Sequence, residues 1–262
     1  MALIESTVVD SVMTITLSDE ERRNALSARL CLEFMDAIDA AERNDKVRVV
    51  VVTNRGSVFC AGANLAERSN PDKSKVERKV EFSELFRRVA VSPKPFVGRL
   101  NGHCVAGGVG LAAVMDISVA IDSAMFGFSE VRLGVTPAII SVVCLPKMRL
   151  ADAKSAFLRG DRFPASRAVE MGLINKSVAG DELDGEVEAI VNDLLAGEPH
   201  AIAAAKRLTY VVPTMTADDA FAYAAKLSAS FFNSEEAREG MAAFLEKRPA
   251  SWVKKVTDES TK

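Results

Sequence analysis

Few residues in this sequence are suited to bind a metal ion or to form disulfide bonds. The 262 residues include two histidines, four cysteines, one tryptophan and two tyrosines. The cysteines are far apart and each lies among apolar residues: Cys31, Cys60, Cys104 and Cys144. This placement indicates buried, reduced thiols rather than disulfide bonds or metal ligands. Two histidines without a paired cysteine motif do not fit a structural zinc site.

The sequence also lacks a long apolar run and an excess of one charge. No stretch approaches the roughly 20 apolar residues of a membrane span, and the N-terminus lacks a signal-peptide pattern. The 33 basic and 36 acidic side chains give a formal net charge of −3, so nucleic acid and anionic membranes are not expected partners. Hydrophobic residues make up 48%, enough for a large core. These features predict a cytoplasmic enzyme.

The order of the predicted elements indicates an α/β fold. Residues 3–9 and 12–17 are rich in Val, Ile and Thr and flank a tight-turn pair, which predicts a hairpin. Ser27 is the predicted N-cap of a helix that continues to about residue 43. The β-branched run over residues 47–53 predicts a strand buried on both faces. Strand, glycine-rich turn and helix then recur twice, an alternation typical of α/β cores.

The second half of the sequence is predicted to be mostly helical. Beyond Val135, strand signals become sparse and Ala-rich segments with helical periodicity dominate. They cover residues 137–148, 150–158, 165–171, 182–195, 200–211, 217–232 and 235–247. We place a boundary near Gly160, with a core for binding and catalysis over residues 1–160 and a helical region over residues 161–262. The polar stretch over residues 70–79 predicts a surface loop.

Two glycine-rich turns are the first candidates for chemistry. Each lies between a predicted strand and a predicted helix start, where unpaired backbone N–H groups favour a negatively charged oxygen. One turn contains Ala61, Gly62 and Ala63, and the other contains Gly107 and Gly108. Two such N–H groups that converge form an oxyanion hole, in which one donor contributes about 2.7–4 kcal/mol to the transition state. For either turn alone, tight packing is the stronger alternative.

Glu130 is the candidate acid or base. Its neighbours over residues 126–134 are largely apolar, and a carboxylate in an apolar pocket has a raised pKa that suits it to proton transfer. A surface glutamate paired with Arg132 is the alternative that the spacing alone favours.

Together the three segments resemble the crotonase superfamily, which comprises enoyl-CoA hydratases and isomerases. The chain has FCAGANL at residues 59–65, NGHCVAGGVGL at residues 101–111 and FGFSEVRLG at residues 126–134. The similarity extends from residues 24–26 to residues 238–248, nearly the whole chain. The resemblance implies a spiral of repeated ββα units with a helical C-terminal region that mediates homotrimers, often hexamers built from two trimers. It also implies an acyl-CoA thioester substrate and no cofactor beyond the CoA moiety.

The resemblance assigns roles by motif position. The backbone N–H groups of Ala63 and Gly107 would bind the thioester oxygen, and Glu130 would transfer a proton. The CoA moiety would contact Arg23, Ala25, Ala61, Leu65 and Lys247. For Lys247, which would meet CoA phosphates, a solvated charge is the alternative. Candidates for the acyl pocket, with core packing as the alternative for each, are Phe82, Leu85, Phe86, Val135, Pro137 and Ile140.

The chain departs from the hydratase pattern at two positions, which leaves the reaction open. Asn64 stands where the family usually has aspartate, and Gly110 occupies the position of the first catalytic glutamate of efficient hydratases. Hydration of a 2-enoyl-CoA in fatty-acid or related metabolism is slightly favoured by the whole-chain similarity. Δ3,Δ2-isomerisation by Glu130 alone, another enolate reaction such as decarboxylation, and a catalytically weak acyl-CoA-binding protein are the alternatives.

Overall fold

The computed structural model describes residues 2–69 and 81–253, so the surface loop predicted over residues 70–79 lies outside the described residues. Contacts divide the chain into two compact units, one up to Val191 and one from Asn192. No helix of the described residues is long and apolar enough to cross a membrane. All four cysteines are buried and none forms a disulfide, as the sequence predicted.

The first unit contains every strand of the described residues. They are β1 Ile4–Val9, β2 Val12–Leu17, β3 Val49–Asn54, β4 Val58–Cys60, β5 Phe96–Leu100, β6 His103–Val105, β7 Ile117–Ile121, β8 Met125–Gly127, β9 Arg162–Pro164 and β10 Lys176–Val178. Its helices are α1 Ala28–Arg43, α2 Leu65–Ser69, α3 Phe82–Val91, α4 Gly107–Val114, α5 Ala138–Cys144, α6 Leu150–Arg159 and α7 Ala165–Glu170. Helix α8, Leu183–Ala196, crosses the division, and the second unit contains α9 Pro199–Val211, α10 Ala217–Phe232 and α11 Glu235–Leu245.

The strands form two sheets, and from β3 to β8 consecutive strands belong alternately to the large and the small sheet. The large sheet has the order β1-β2-β3-β5-β7-β10, and the small sheet has the order β4-β6-β8-β9. Strands β3, β5 and β7 of the large sheet are each followed by β4, β6 or β8 of the small sheet, and then by a helix or a 3₁₀ turn. The predicted spiral of ββα units is therefore confirmed.

The first strands and the first helix form as the local sequence patterns predicted. Asp10 and Ser11, between β1 and β2, have φ angles of 46° and 69°, the positive pair that a two-residue type I′ hairpin requires. The hydroxyl of Ser27 accepts a hydrogen bond from the Leu30 N–H at 3.1 Å and caps α1. Strand β3 is buried along its whole length, which agrees with its β-branched sequence.

Strands β6 to β10 escaped prediction, and two of them affect the boundary near Gly160. Strand β6 lies between β5 and the second glycine-rich turn, while β9 and β10 lie in the part predicted to be helical. Strands β6, β8, β9 and β10 have three residues each, too few to show a period of two. Strand β9 pairs with β8 and β10 pairs with β7, so residues beyond Gly160 complete both sheets. The roles given to residues 1–160 and 161–262 stay predictions.

Candidate active site

One cavity of the first unit brings together the three residues with predicted catalytic roles. Its volume is about 1150 Å³, and Ala63, Gly107 and Glu130 all line it. Each residue follows a different strand of the small sheet, namely β4, β6 and β8. These strands are parallel neighbours, so the residues that follow them meet at the same edge of the sheet.

The two glycine-rich turns contact each other at this edge. A Cβ atom added to Gly62 would lie 2.8 Å from the amide nitrogen of Gly107, and a Cβ atom added to Gly107 would lie 3.5 Å from the amide nitrogen of Ala63. Gly62 also has a φ angle of 87°, which favours glycine. Among the described residues, the N–H groups of Ala63 and Gly107 donate no hydrogen bond. Both amides are therefore available to a ligand.

Packing explains part of the glycine pattern. A Cβ atom at Gly108 would overlap the carbonyl oxygen of Cys60, because the start of α4 lies directly against the end of β4. The packing alternative therefore holds for Gly62 and Gly108. It does not account for the unpaired amides of Ala63 and Gly107.

Ala106 holds a strained backbone conformation beside the Gly107 amide. It precedes α4 with φ of 50° and ψ of −122°, a region that costs a residue with a Cβ atom about 1–3 kcal/mol. The peptide bond between Ala106 and Gly107 carries the Gly107 N–H, so this conformation fixes the orientation of that donor.

We expect Ala106→Gly to stabilise the protein by about 1 kcal/mol, because glycine adopts this conformation without strain. The greater conformational entropy that glycine gives the unfolded chain offsets part of this gain. Urea unfolding monitored by circular dichroism measures the change. Ala112→Gly, the same substitution inside α4, is the matched control and should cost about 1 kcal/mol. A stability loss in both variants would contradict the assigned strain.

Glu130 is a half-buried carboxylate that forms no salt bridge with any of the described residues. It lies in the 3₁₀ turn Ser129–Leu133, which ends at Gly134 in a left-handed conformation. Its Oε2 atom is buried and has no hydrogen-bond partner among the described residues. Burial raises the pKa of the Glu130 carboxyl above its ordinary value. No ion pair joins Glu130 to Arg132 among the described residues, and the Arg132 Nε instead donates to the carbonyl oxygen of Arg159 at 3.3 Å.

This raised pKa predicts a pH-dependent stability difference for Glu130→Gln. The folded state holds the Glu130 proton more tightly than the unfolded state, so the stability of the wild type falls as pH rises through the raised pKa. Glutamine has no such proton to lose. We therefore expect the variant to gain stability relative to the wild type from acidic to neutral pH in urea unfolding. A stability difference between the variant and the wild type that does not change with pH would contradict the raised pKa.

The structure leaves no room for a side chain at Gly110. A Cβ atom there would overlap the Cγ2 of Ile140 and would lie 2.8 Å from the Cε2 of Phe86. Ile140 and Phe86 are 2% and 3% exposed, and Phe86 packs edge-on against Phe82 with ring centroids 5.8 Å apart. Apolar side chains therefore fill the space next to Gly110.

Comparison with known proteins identifies the family. A family model described as enoyl-CoA hydratase/isomerase matches residues 7–255. The chain belongs to this family. A Thermus thermophilus protein described as a candidate enoyl-CoA hydratase is 35% identical over 242 residues, which cover 91% of this chain and 96% of that protein.

Two further relatives agree with this family. The crotonyl-CoA hydratase of Syntrophomonas wolfei is 31% identical over 94% of this chain and 96% of that protein. The crystal structure of an enoyl-CoA hydratase from Shewanella pealeana superposes with a TM-score of 0.88 at 27% identity, over 95% of this chain and 96% of that chain. This member of the enoyl-CoA hydratase/isomerase family is therefore an enzyme with the crotonase fold.

Most of the residues assigned to CoA lie at this cavity. Arg23, Ala61 and Leu65 line it, and the carbonyl oxygen of Arg23 accepts a hydrogen bond from the Ala61 N–H at 3.0 Å. Ala25 is buried and is not a lining residue. Lys247 lies in the second unit, just after α11. The roles of these residues in CoA binding stay predictions.

The acyl-pocket candidates divide between the cavity and the core. Four line the cavity, namely Phe82, Val135, Pro137 and Ile140. Leu85 and Phe86 are core residues. Sequence reasoning missed Ser57 and Arg162, which also line the cavity. Arg162 lies on β9. Because this strand was not predicted, the face of the sheet to which the Arg162 side chain belongs could not be predicted either.

Proposed function

We propose that this protein is an enoyl-CoA hydratase that adds water to a 2-enoyl-CoA thioester, with Glu130 as its acid and base. The proposal rests on one observation: a half-buried carboxylate, whose Oε2 atom has no hydrogen-bond partner among the described residues, lines the same cavity as Ala63 and Gly107, whose amides donate no hydrogen bond there. The names of its relatives support the same reaction. The short-chain-enoyl-CoA hydratase of Clostridium acetobutylicum, 28% identical over 90% of this chain, is one of them.

In the proposed reaction the two amides stabilise charge on the thioester oxygen. When a nucleophile adds to C3 of the substrate, the electrons of the C2=C3 bond move toward C1 and the oxygen becomes an enolate oxygen. The N–H groups of Ala63 and Gly107 donate to this oxygen, and loss of one such donor typically costs about 2.7–4 kcal/mol of transition-state stabilisation. Because the amides belong to packed turns, they need little reorganisation during the reaction.

Glu130 completes the addition with a single proton. Its ionised carboxylate takes a proton from water while the water oxygen bonds to C3. The protonated Glu130 then gives that proton to C2, the thioester carbonyl reforms, and the carboxylate is regenerated. The net change is the addition of one water molecule to give a 3-hydroxyacyl-CoA. A raised pKa suits both halves of this cycle, because the same group must accept and release the proton.

A second candidate reaction is favoured by the packing at Gly110. Ile140 and Phe86 fill the space where a second carboxylate would be needed, and isomerisation requires only one base. Glu130 would remove a proton from C2 of a 3-enoyl-CoA and return it to C4, so that the double bond moves into conjugation with the thioester.

Two absorbance assays test these candidates. Hydration of crotonyl-CoA removes the absorbance of the conjugated enoyl thioester, and isomerisation of a 3-enoyl-CoA creates it. Loss of crotonyl-CoA absorbance supports the hydratase, and a gain with 3-enoyl-CoA alone supports the isomerase. If neither signal changes while butyryl-CoA still binds in calorimetry, the protein is an acyl-CoA-binding protein without either activity.

The proposal includes the assembly and the metabolic setting. It places the enzyme in the cytoplasm, in fatty-acid or related acyl-CoA metabolism, with no cofactor beyond CoA, as a homotrimer or a dimer of trimers. Large apolar side chains of the second unit are exposed, including Phe221 at 77% and Phe244 at 82%. Such exposure is typical of a surface that is covered on association. Light scattering of the purified protein measures the assembly directly.

A further inference from the structure

The small sheet presents one face to the core and the other to the cavity. Phe59, Cys104, Phe126 and Phe163, one from each strand, are buried in the core. Their chain neighbours point the opposite way, because successive side chains of a strand alternate between faces. Four of these neighbours line the cavity, namely Val58, His103, Val105 and Arg162. The outer face of the small sheet is therefore a wall of the cavity that contains Glu130.

His103 offers one hydrogen-bond donor on this wall. Its Nδ1 atom accepts a hydrogen bond from the Met125 N–H at 3.0 Å, so Nδ1 carries no proton. The remaining ring proton is therefore on Nε2. This hydrogen bond fixes the tautomer of the His103 ring, and its Nε2–H has no hydrogen-bond partner among the residues that the structure describes.

Arg162 offers a positive charge on the same wall. Its backbone pairs with Gly127 of β8, and its Cγ atom lies 3.3 Å from the position of a Cβ atom on Gly127. The missing side chain of Gly127 leaves space on the wall beside the Arg162 stem. Among the described residues, the Arg162 guanidinium has no carboxylate partner, whereas Arg88 and Arg167 each have two.

The spacing of these groups suits a small anion. Strands β6 and β9 are separated by β8 alone, so their backbones lie roughly 9–10 Å apart. Two long side chains on the same face can both reach a carboxylate or phosphate group above Gly127. Ser57 adds a hydroxyl next to His103, since its carbonyl oxygen accepts the His103 N–H at 3.1 Å. Other lining residues, such as Phe82, Ile139 and Ile140, form an apolar wall on α3 and α5.

We infer that Ser57, His103 and Arg162 form a subsite for an anionic group of the acyl-CoA ligand. The inference rests on the proposed function, because the ligand is the same thioester. Two sources of the anion share this chemistry: a carboxylate at the far end of the acyl group, and a phosphate of CoA. A terminal carboxylate would make the substrate a dicarboxylic acyl-CoA rather than a simple fatty acyl-CoA.

Calorimetry with unreactive thioesters tests the subsite without turnover. Glutaryl-CoA and valeryl-CoA have acyl chains of equal length and differ in the terminal carboxylate, and their pantetheine thioesters lack the nucleotide phosphates. Arg162→Met removes the charge and keeps most of the stem, while Arg162→Lys keeps a charge. Arg159→Met is the matched control, because Arg159 pairs with Asp161 and is not a lining residue.

We expect Arg162→Met to weaken glutaryl-CoA binding by about tenfold or more and to leave valeryl-CoA within about twofold, since a charge-assisted hydrogen bond is lost. Arg162→Lys should recover part of the affinity. Equal weakening of both CoA thioesters, with unchanged pantetheine thioesters, identifies a phosphate as the anion and also supports the subsite. Unchanged affinities in Arg162→Met, or the same loss in Arg159→Met, would overturn it. If no CoA thioester binds the wild type, the proposed function itself fails.

Discussion

Glu130→Gln should lower kcat for crotonyl-CoA hydration by about 10²–10⁴-fold, the usual contribution of a general acid or base. Glutamine keeps the size of the side chain but can neither take a proton from water nor give one to C2. The affinity for a saturated acyl-CoA should stay within about twofold, because the proposed thioester contacts come from backbone amides. Steady-state kinetics with crotonyl-CoA and calorimetry with butyryl-CoA measure the two effects.

Glu81→Gln is the matched control for this experiment. Glu81 is the other carboxylate among the described residues that line the cavity, but it is exposed at the start of α3. Its substitution should change kcat by less than about twofold. If Glu81→Gln abolishes activity and Glu130→Gln does not, the assignment of the proton-transfer residue is wrong.

Gly110→Glu should destabilise the protein by at least about 3 kcal/mol and should not raise the hydration rate. The new Cβ atom would overlap Ile140 and crowd Phe86, and overpacking of a core costs about 1–3 kcal/mol before the added carboxylate is desolvated. Urea unfolding measures the loss of stability, and the crotonyl-CoA assay measures the rate. A folded variant with faster hydration would show that the space next to Gly110 opens readily.

Two further variants separate steric overlap from other effects at this position. Gly185→Glu introduces the same side chain in α8, where an added Cβ atom meets nothing within 4 Å, and should stabilise the protein by up to about 1 kcal/mol, because glycine is unfavourable inside a helix. Ile140→Ala removes the overlapping Cγ2 atom. The double variant Gly110→Glu/Ile140→Ala should be more stable than the sum of the single changes predicts, since residues in contact couple by about 0.5–3 kcal/mol. Ile139→Ala, one residue earlier on α5, should give no such rescue.

Sequence reasoning predicted the elements that depend on neighbouring residues. Ser27 caps α1 through the amide of Leu30, three positions away, and the Asp10-Ser11 pair makes its hairpin turn within the chain segment that it reverses. The helices α5 to α11 coincide with the predicted helical segments. These features were accessible because caps, tight turns and helical periodicity act over a few residues.

The three-residue strands could not be predicted from neighbouring residues in this way. Strand β6 exists because β4 and β8 pair with it from both sides, and β9 exists because β8 accepts it at the edge. Their sequences are too short to show alternation. Without these strands, the sequence could not predict that His103 and Arg162 share one wall of the cavity.

The sequence by itself determined the family motifs, the candidate amides and Glu130, because these are local patterns of residue type. Tertiary structure decided what surrounds them. Arg132 donates to a carbonyl oxygen, the Oε2 atom of Glu130 has no hydrogen-bond partner among the described residues, and Ile140 and Phe86 occupy the space beside Gly110. Residues far apart in the sequence make these contacts, and only the packing of strands and helices brings such residues together.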